Sequence, residues 1–367
     1  MQDEVAKFRL FYPPEPGSAG FSTIGGKVAE CTGGMTGMKY GVTRDYVLAL
    51  EIVLPDGSVI NTGRKTLKSV AGYDLTRFFV GSEGTLGVLT KITLKLLPMP
   101  EKISTVMSFF KDIDSALNTT DSILIKNHLH PRSLEYADKA CIGAVRDSTE
   151  EKIPDEAEAL LLIDVDGNEK NVANDISRID AICRENDALK TLIANTDEER
   201  NTLWDIRKSV SQSLFKVDSL KFDEDFCVPR SRVRVVLKEI YELSKVYSLQ
   251  VAAFGHIGEG HIHLNVNYNN GDEVDVSAHN LVPQILKEVV SVGGPITSVQ
   301  GVGDVESGYA GLELALHEIE IMKDLKKMFD PKGIMNPGKI FGNNSVNRSP
   351  DKRRRGQEVA EGAKKKS

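Results

Sequence analysis

The 367-residue chain is long enough for two domains, and its formal net charge of −7 argues against nucleic acid as the main partner. The four cysteines lie far apart with no C-x-x-C pair, which excludes a zinc ribbon or an iron–sulfur cluster and suits a reducing cytosol. No apolar run is long enough to span a membrane and no signal peptide begins at Met1, so we predict a cytoplasmic protein.

The first hundred residues combine short strands with glycine-rich segments. Residues 11–18 contain three prolines and are predicted to be extended. Residues 46–62 predict a β-hairpin that turns at Pro-Asp-Gly, residues 74–80 a short helix, and residues 88–97 an alternating strand. Glycine clusters at residues 23–34 and 81–87 flank these strands. Because glycine lets backbone turn tightly or approach a ligand, the two clusters together predict a cradle for a large flat or phosphorylated cofactor. Ordinary hairpin turns are the alternative for either cluster alone.

The composition changes after Pro98 and Pro100, and we place a domain boundary at residue 100. Helices are predicted at residues 112–128, 168–186, 197–215, 232–246, 276–290 and 310–328, and strands at residues 160–165, 191–194, 222–228, 250–254 and 261–267. This mixture predicts an α+β, ferredoxin-like second domain over residues 101–343, with one sheet covered on one face.

The last segment, residues 344–367, carries eight Lys or Arg against three Asp or Glu and almost nothing apolar. It predicts a disordered basic tail, because it cannot bury enough surface to fold alone. Docking of this tail onto anionic lipid or an acidic partner, which would make the protein peripheral to the membrane, is the alternative.

The second domain contains one histidine-rich motif, Phe-Gly-His-Ile-Gly-Glu-Gly-His-Ile-His-Leu-Asn at residues 254–265. His261 and His263 are two residues apart on a predicted strand, so their rings point to the same face. His256 precedes them in a glycine-rich loop. Three of the seven histidines within eight residues predict a functional site, because imidazole binds divalent metals and accepts protons near neutral pH. A structural role in the core is the alternative.

Four segments resemble one family of flavoproteins. They are Ser-Thr-Ile-Gly-Gly-Lys-Val-Ala at residues 22–29, Lys-Tyr-Gly-Val-Thr-Arg-Asp-Tyr at 39–46, Gly-Tyr-Asp-Leu-Thr-Arg at 72–77 and Gly-Ser-Glu-Gly-Thr-Leu-Gly at 81–87. In order and spacing they are similar to the FAD-linked D-2-hydroxyacid dehydrogenases, which include D-lactate dehydrogenase and the D subunit of glycolate oxidase. The resemblance runs from about residue 8 to residue 341.

The resemblance implies an incomplete vanillyl-alcohol-oxidase-type FAD-binding domain in residues 1–100, followed by an FAD-linked oxidase C-terminal domain in residues 101–343. The family's amino-terminal subdomain, which carries another diphosphate loop, precedes the point where this chain begins, so we expect a separate chain to supply it. The residues expected to contact FAD are Pro14, Ser18, Thr23, Gly25, Gly26, Gly33, Gly34, Gly81, Ser82, Glu83, Gly84, Gly87, Val88 and Asn336.

The resemblance also implies a site for a metal and for the substrate. In the family, histidines matching His256 and His263 bind a divalent metal, for which zinc, iron and manganese are the candidates. An arginine matching Arg207 holds the substrate carboxylate in the family. From the residues alone, a solvated helix face with Trp204 in the core explains Arg207 equally well.

The chain departs from the family at residues 297–303. Family members usually have Gly-Glu-His-Gly-Ile-Gly where this chain has Val299 and Gln300 before Gly301, so a metal ligand and a candidate base are missing. Val cannot ligate a metal, and Gln cannot accept a proton at neutral pH. We expect His261, which stands where the family normally has asparagine, to supply the third ligand or the base.

These features predict an FAD-dependent enzyme that oxidises a small D-2-hydroxy acid, D-lactate or glycolate, by hydride transfer to the flavin. Arg207, His261 and His263 are the predicted catalytic residues, and a partner protein or a quinone is the predicted electron acceptor. The alternative is a non-catalytic binding or scaffold subunit descended from such an enzyme.

Overall fold

The computed structural model describes residues 1–20, 22–217, 220–268, 272–303 and 306–342. The predicted tail at residues 344–367 lies outside the described residues. Among the helices within these ranges, none is both long enough and apolar enough to cross a membrane.

Residues 1–98 form short elements around a small antiparallel sheet. The strands are β1 (Leu10–Phe11), β2 (Val47–Val53), β3 (Val59–Gly63), β4 (Val88–Leu94) and β5 (Leu97–Pro98), and the helices are α1 (Gln2–Ala6), α2 (Ile24–Glu30), α3 (Gly37–Tyr40) and α4 (Leu75–Phe79). Strand β2 lies between β3 and β4, and β1 pairs with β5. The hairpin predicted over residues 46–62 is confirmed. Its core side chains, such as Ile52, pack with Val28 of α2 and Phe79 of α4.

One glycine cluster is not the loop that the sequence predicts. Residues 24–30 form helix α2, because the Thr23 hydroxyl accepts a hydrogen bond from the Gly26 amide at 3.0 Å and caps the first turn. The helix ends at Cys31, whose φ of +54° is left-handed. The loop prediction is therefore wrong for Gly25 and Gly26, and it holds for Gly33 and Gly34.

The second part of the chain is organised by one seven-stranded sheet. Its strands are β6 (Lys102–Phe110), β7 (Ser133–Asp138), β8 (Ala159–Gly167), β9 (Ala188–Ala194), β10 (Leu220–Cys227), β11 (Gln250–Gly255) and β12 (His261–Tyr268). Their order is β10-β12-β11-β7-β8-β6-β9, and each neighbouring pair is antiparallel. The predicted α+β class is confirmed.

Helices cover both faces of this sheet. They are α5 (Ile113–Asp121), α6 (Lys139–Arg146), α7 (Glu169–Glu185), α8 (Asp197–Val217), α9 (Val233–Val246) and α10 (Asp272–Ser291). Two helices follow in the chain, α11 (Ala310–Glu313) and α12 (Leu316–Phe329), and Phe329 of α12 packs with the core of residues 1–98. Leu161 and Ile163 of β8 join one core with α7, α9 and α10, whereas Leu160 and Leu162 join another with α6 and α8. The expectation of a sheet covered on one face is wrong, because its central strands are apolar on both faces and both must be buried.

Two central strands, β6 and β7, and the helix α6 were not predicted. All six residues of β7 are buried, including Ser133, Glu135 and Asp138. A strand that is buried on both faces and carries polar residues shows no alternation of polar and apolar positions, which removes the main sequence signal for a strand. This missed strand supplies a residue of the candidate site.

Candidate active site

Three histidine side chains meet at the start of β12. The chain leaves β11 at Gly255, turns back through residues 256–260 and enters β12 at His261. The turn requires Gly260, which has a φ of +80° and where a Cβ would lie 1.9 Å from the carbonyl oxygen of Val228. It brings His256 over His261 and His263, and one ligand nitrogen of each ring lies within 4.8 Å of those of the others. The predicted gathering of these three rings is confirmed.

A buried carboxylate on the neighbouring strand holds two of the rings. Asp225 of β10 contacts Nε2 of His261, and its Oδ1 lies 3.3 Å from Nδ1 of His263. Burial alone would raise the pKa of Asp225, but the hydrogen bond from His261 and the electrostatic attraction of His261 and His263 together outweigh it, and the pKa is lowered. Asp225 also accepts hydrogen bonds from Ser298 Oγ at 3.0 Å and from the Val299 amide at 3.1 Å. One carboxylate thus connects the histidines to the loop at residues 297–303.

A second buried carboxylate, Glu135 of β7, connects the third histidine to Arg207. Its Oε1 lies 2.5 Å from Nδ1 of His256, and its Oε2 accepts a hydrogen bond from Nη2 of Arg207 at 2.7 Å. Burial opposes ionisation of Glu135, but His256 and Arg207 outweigh it and hold its pKa below the ordinary value. Burial also opposes the charged form of His256, yet the Glu135 carboxylate beside it raises the pKa of His256. Glu135 therefore carries a negative charge between the Arg207 guanidinium and the His256 ring.

Arg207 is buried, with 8% of its surface exposed, on the inner side of α8. Its guanidinium lies 4.8 Å from the centre of the Phe254 ring, and its Nε is a buried donor with no partner among the described residues. Trp204, one turn away, lies in the core and donates from Nε1 to Asp164 at 3.0 Å. The core position predicted for Trp204 is confirmed, whereas a solvated helix face is wrong for Arg207.

The environment of His263 favours its neutral form. Burial and the neighbouring His261 lower the pKa of His263 well below its ordinary value. Neutral imidazole is the form that binds metal ions, and carboxylates behind the rings commonly orient such ligands. The donor set of His256, His261 and His263 therefore fits a divalent cation.

Another buried carboxyl, Glu259, lies in the turn before β12. Burial raises the pKa of Glu259 to about 7, and its Oε1 has no hydrogen-bond partner among the described residues. A Cβ on Gly37 of α3 would lie 2.8 Å from both oxygens of this carboxyl, so Gly37 leaves room for it. The glycine at residue 37 is thereby explained by contact with the second domain.

The two glycine clusters lie side by side, as the cradle prediction requires. The Gly81 amide donates to the Val28 carbonyl at 3.0 Å, and the Glu83 amide donates to the Ala29 carbonyl at 2.8 Å. Gly81 and Gly84 have φ values of +83° and +67°, which favour glycine. The side-chain amide of Asn336 donates to the Glu83 carbonyl at 2.5 Å. The carboxy-terminal segment thus returns to the loop at residues 81–87.

The remaining predicted FAD contacts fall into two groups. Pro14, Gly33, Gly34, Ser82 and Gly87 are buried, and a Cβ on Gly34 would lie 2.4 Å from the Glu15 carbonyl oxygen. The second group is half-buried or exposed. It lies before or at the amino-terminal end of α2 and at the start of β4, and comprises Ser18, Thr23, Gly25, Gly26 and Val88. At Gly33, Gly34 and Gly87 the chain's own atoms occupy the space that a Cβ would need, so packing within the chain accounts for these glycines. A Cβ at Gly25, Gly81 or Gly84 would meet no atom of the described residues closer than 3.4 Å, which fits an extended cofactor beside this backbone. The assignment of individual contacts stays a prediction.

Sequence reasoning missed Glu135 and Asp225, although they hold every ring of the cluster. Asp225 lies in Asp-Glu-Asp at residues 223–225, where the alternating pattern of β10 places it on the same face as the histidines of the paired strand. This pairing was not visible without the sheet order. Glu135 stood in a strand that was itself not predicted.

The chain matches two sequence families and several curated proteins. Residues 99–340 match the family described as FAD linked oxidases, C-terminal domain, and residues 1–63 match an FAD binding domain family. The glycolate oxidase subunit GlcD of Bacillus subtilis (strain 168) is 40% identical over 92% of this chain and 72% of its own length. The D-lactate dehydrogenase of Anaerostipes hadrus is 31% identical over 93% of this chain and 73% of its own length.

Solved structures with low identity share the fold. The chain resembles p-cresol methylhydroxylase with a TM-score of 0.70 and 15% identity, covering 94% of this chain and 74% of that one. It resembles alkyldihydroxyacetonephosphate synthase with a TM-score of 0.65 and 18% identity, covering 92% of this chain but only 61% of the synthase. These likenesses show the fold alone, whereas the match over residues 99–340 shows that the chain belongs to the FAD-linked oxidases.

Proposed function

We propose that this protein oxidises a small D-2-hydroxy acid, D-lactate or glycolate, to the corresponding 2-oxo acid. Bound FAD would supply the acceptor for the hydride that leaves the substrate's α-carbon. The carrying observation is the cluster of buried His256 and His261 and half-buried His263 between two ionised carboxylates. The relatives named as glycolate oxidase subunit and D-lactate dehydrogenase support this substrate class.

Arg207 is the residue that we assign to the substrate carboxylate. Glu135 uses Nη2 of the guanidinium, while the buried Nε has no partner among the described residues. A buried donor without an acceptor costs stability, and an incoming carboxylate would satisfy it. The same contact with Glu135 keeps the guanidinium in place before the substrate arrives.

His256, His261 and His263 are the proposed ligands of a divalent cation such as zinc, iron or manganese. The cation would polarise the substrate hydroxyl and lower the pKa of its proton. The low pKa of His263 suits a ligand better than a base. His256 would bind a cation only after releasing the proton that Glu135 favours.

His261 has two candidate roles, the third ligand or the base that accepts the hydroxyl proton. The Asp225 carboxylate at its Nε2 supports a base, because a carboxylate at one ring nitrogen orients and stabilises an imidazole that gains a proton at the other. Metal analysis of His261→Asn separates the two. Loss of metal identifies a ligand, whereas retained metal with lost oxidation identifies a base. Retained metal with undiminished oxidation would refute both.

The double change Val299→Glu with Gln300→His restores the residue types that the resemblance places there. We expect it to rescue metal binding in His261→Asn, because Asp225 already holds the Val299 backbone beside the histidines. Absence of metal from wild type, His261→Asn and the rescued variant alike would reject a metal site. The scaffold alternative gains no support, since the three rings and both carboxylates are assembled.

Electrons from the reduced flavin would pass to a partner protein or a quinone. Because the Bacillus relative is named as a subunit, we propose that this chain works within an assembly, in the cytoplasm or at the membrane periphery. The separate chain expected to supply the remaining FAD subdomain stays a prediction.

Dye-coupled turnover with D-lactate, L-lactate and glycolate tests the activity and the role of Arg207 together. Arg207→Lys should lower kcat/KM for the acids and leave flavin content unchanged, because Lys keeps the charge but loses the bidentate fork. Arg184→Lys, at an exposed ion pair with Asp180, is the matched control. Equal kinetics in both variants would reject the role of Arg207, and no turnover of any acid by wild type would reject the function.

A further inference from the structure

The loop at residues 297–303 is held at both ends by carboxylates that come from different parts of the chain. At its start, Asp225 of β10 accepts hydrogen bonds from Ser298 Oγ and from the Val299 amide. At its end, Glu83 of the loop at residues 81–87 accepts from the Val302 amide at 2.7 Å and from the Gly303 amide at 2.9 Å. The loop therefore joins the predicted flavin cradle to the carboxylate that orients His261 and His263.

The loop is shaped for this contact with Glu83. Gly301 has a φ of +74°, and a Cβ there would lie 2.7 Å from Oε1 of Glu83, so only glycine lets the two adjacent amides reach one carboxylate. A Cβ on Gly33 would lie 2.6 Å from Cγ1 of Val299, so the Val299 side chain occupies space that Gly33 leaves free. The loop thus meets the cradle at two separate points.

Glu83 is itself fixed by the segments around it. Its own φ is +50°, its amide donates to the Ala29 carbonyl of α2, and its carbonyl accepts from Asn336. Successive backbone amides that converge on one anion bind it strongly, because both hydrogen bonds are charge-assisted. Both Glu83 carboxylate oxygens accept hydrogen bonds from the loop.

We propose that Glu83 is a positioning residue that sets the distance between the cofactor cradle and the histidine cluster. Glu83 fixes residues 301–303, the loop fixes Ser298 and Val299 on Asp225, and Asp225 orients His261 and His263. The kinetic consequence rests on the proposed function. The order that Glu83 imposes on the loop is independent of it.

Hydrogen–deuterium exchange of residues 297–303 measures that order without any need for activity. Glu83→Ala removes both acceptors, and Glu83→Gln leaves one acceptor while presenting an NH₂ group to the other amide. We expect exchange in this segment to accelerate by about tenfold or more in Glu83→Ala, because a charge-assisted hydrogen bond is lost. The acceleration in Glu83→Gln should be smaller. Glu51→Ala, which removes an ion pair with Lys91 on β4, is the control.

Gly301→Ala disturbs the same contact from the loop side, and it keeps the test decisive if Glu83→Ala fails to fold. Faster exchange at residues 297–303 in Glu83→Gln and Gly301→Ala, with the control unchanged, supports the positioning role. Exchange equal to that of Glu51→Ala in both variants overturns it. A loss of FAD with unchanged exchange would instead make Glu83 a cofactor ligand and would also overturn it.

The kinetic arm compares flavin reduction by the 2-hydroxy acid with flavin reduction by dithionite. A misplaced histidine cluster should slow the reduction of bound flavin by substrate in Glu83→Gln by about tenfold to a hundredfold, with the rate of its reduction by dithionite unchanged. Unchanged reduction by substrate in a variant with accelerated exchange would overturn the coupling. If no hydroxy acid reduces the wild type, the proposed function fails while the exchange arm still decides the role of Glu83.

Discussion

Removal of the Glu135 side chain should destabilise the second part of the chain by about 3–5 kcal/mol, the usual cost of deleting one partner of a buried ion pair. The Glu135 side chain is 0% exposed and that of Arg207 is 9% exposed, so water cannot replace the lost carboxylate. Glu135→Ala would leave the guanidinium of Arg207 and Nδ1 of His256 without their acceptor. The penalty comes from the charge left behind and not from the net value of the pair.

The only tryptophan of the chain provides the assay. Trp204 lies in the core beside α6 and the sheet, one turn from Arg207, so its fluorescence reports the unfolding of this part of the chain. Urea titration of wild type and Glu135→Ala gives the midpoint shift, which converts to a free energy with the slope of the transition. Far-ultraviolet circular dichroism in the absence of urea checks that the variant starts folded.

Two further variants fix the interpretation. Glu158→Ala removes an exposed ion pair with Lys139 and should cost no more than about 1 kcal/mol. Glu135→Leu combined with Arg207→Leu replaces both charges and should recover most of the stability lost in Glu135→Ala, because the guanidinium is gone and burial favours the neutral form of His256 once Glu135 is absent. Equal midpoints for Glu135→Ala and Glu158→Ala, or a double variant less stable than Glu135→Ala, would refute the reasoning.

Two other replacements follow from single contacts. Gly260→Ala should prevent correct formation of the turn at residues 256–260, because the new Cβ would overlap the Val228 carbonyl oxygen. Gly293→Ala is the control, since Gly293 has a similarly positive φ but open space around it, and it should cost only about 1–2 kcal/mol. Thermal melts compare the stability of the two variants. Lys326→Met should speed proteolysis within residues 331–342, because Nζ of Lys326 bonds the carbonyl oxygens of Thr85 and Met335 at 2.7 and 2.9 Å. Lys327→Met, at the exposed neighbouring residue, is the control. Equal rates of cleavage in the two variants would contradict the role of Lys326.

The sequence predicted the elements whose patterns are local. The hairpin at residues 46–62 carries an alternating pattern and a Pro-Asp-Gly turn, and the helix at residues 169–185 has Val172, Ile176, Ile179 and Cys183 at helical spacing. Strand β7 could not be predicted in this way, because Glu135 and Asp138 are satisfied by partners distant in sequence. Helix α2 was missed because the two glycines suggested a loop, whereas the Thr23 cap decides for a helix.

The candidate site was predictable as far as the histidines and Arg207. The three histidines stand close together in residues 254–265, and Arg207 stands in a short motif beside Trp204. The structure gathers the three histidine rings as expected. The two carboxylates were not predictable. Asp225 contacts His261 only because β10 pairs with β12, and Glu135 contacts Arg207 only because α8 packs against the sheet that contains β7. Buried charges depend on partners that only the tertiary structure identifies.

The most direct test of the proposed activity is anaerobic mixing of the FAD-loaded protein with D-lactate, L-lactate or glycolate in the absence of an electron acceptor. The proposal predicts that D-lactate or glycolate bleaches the absorbance of oxidised flavin and yields one 2-oxo acid per flavin, while L-lactate does so far more slowly. A protein whose flavin is reduced by dithionite but stays oxidised with each of the three acids would contradict it.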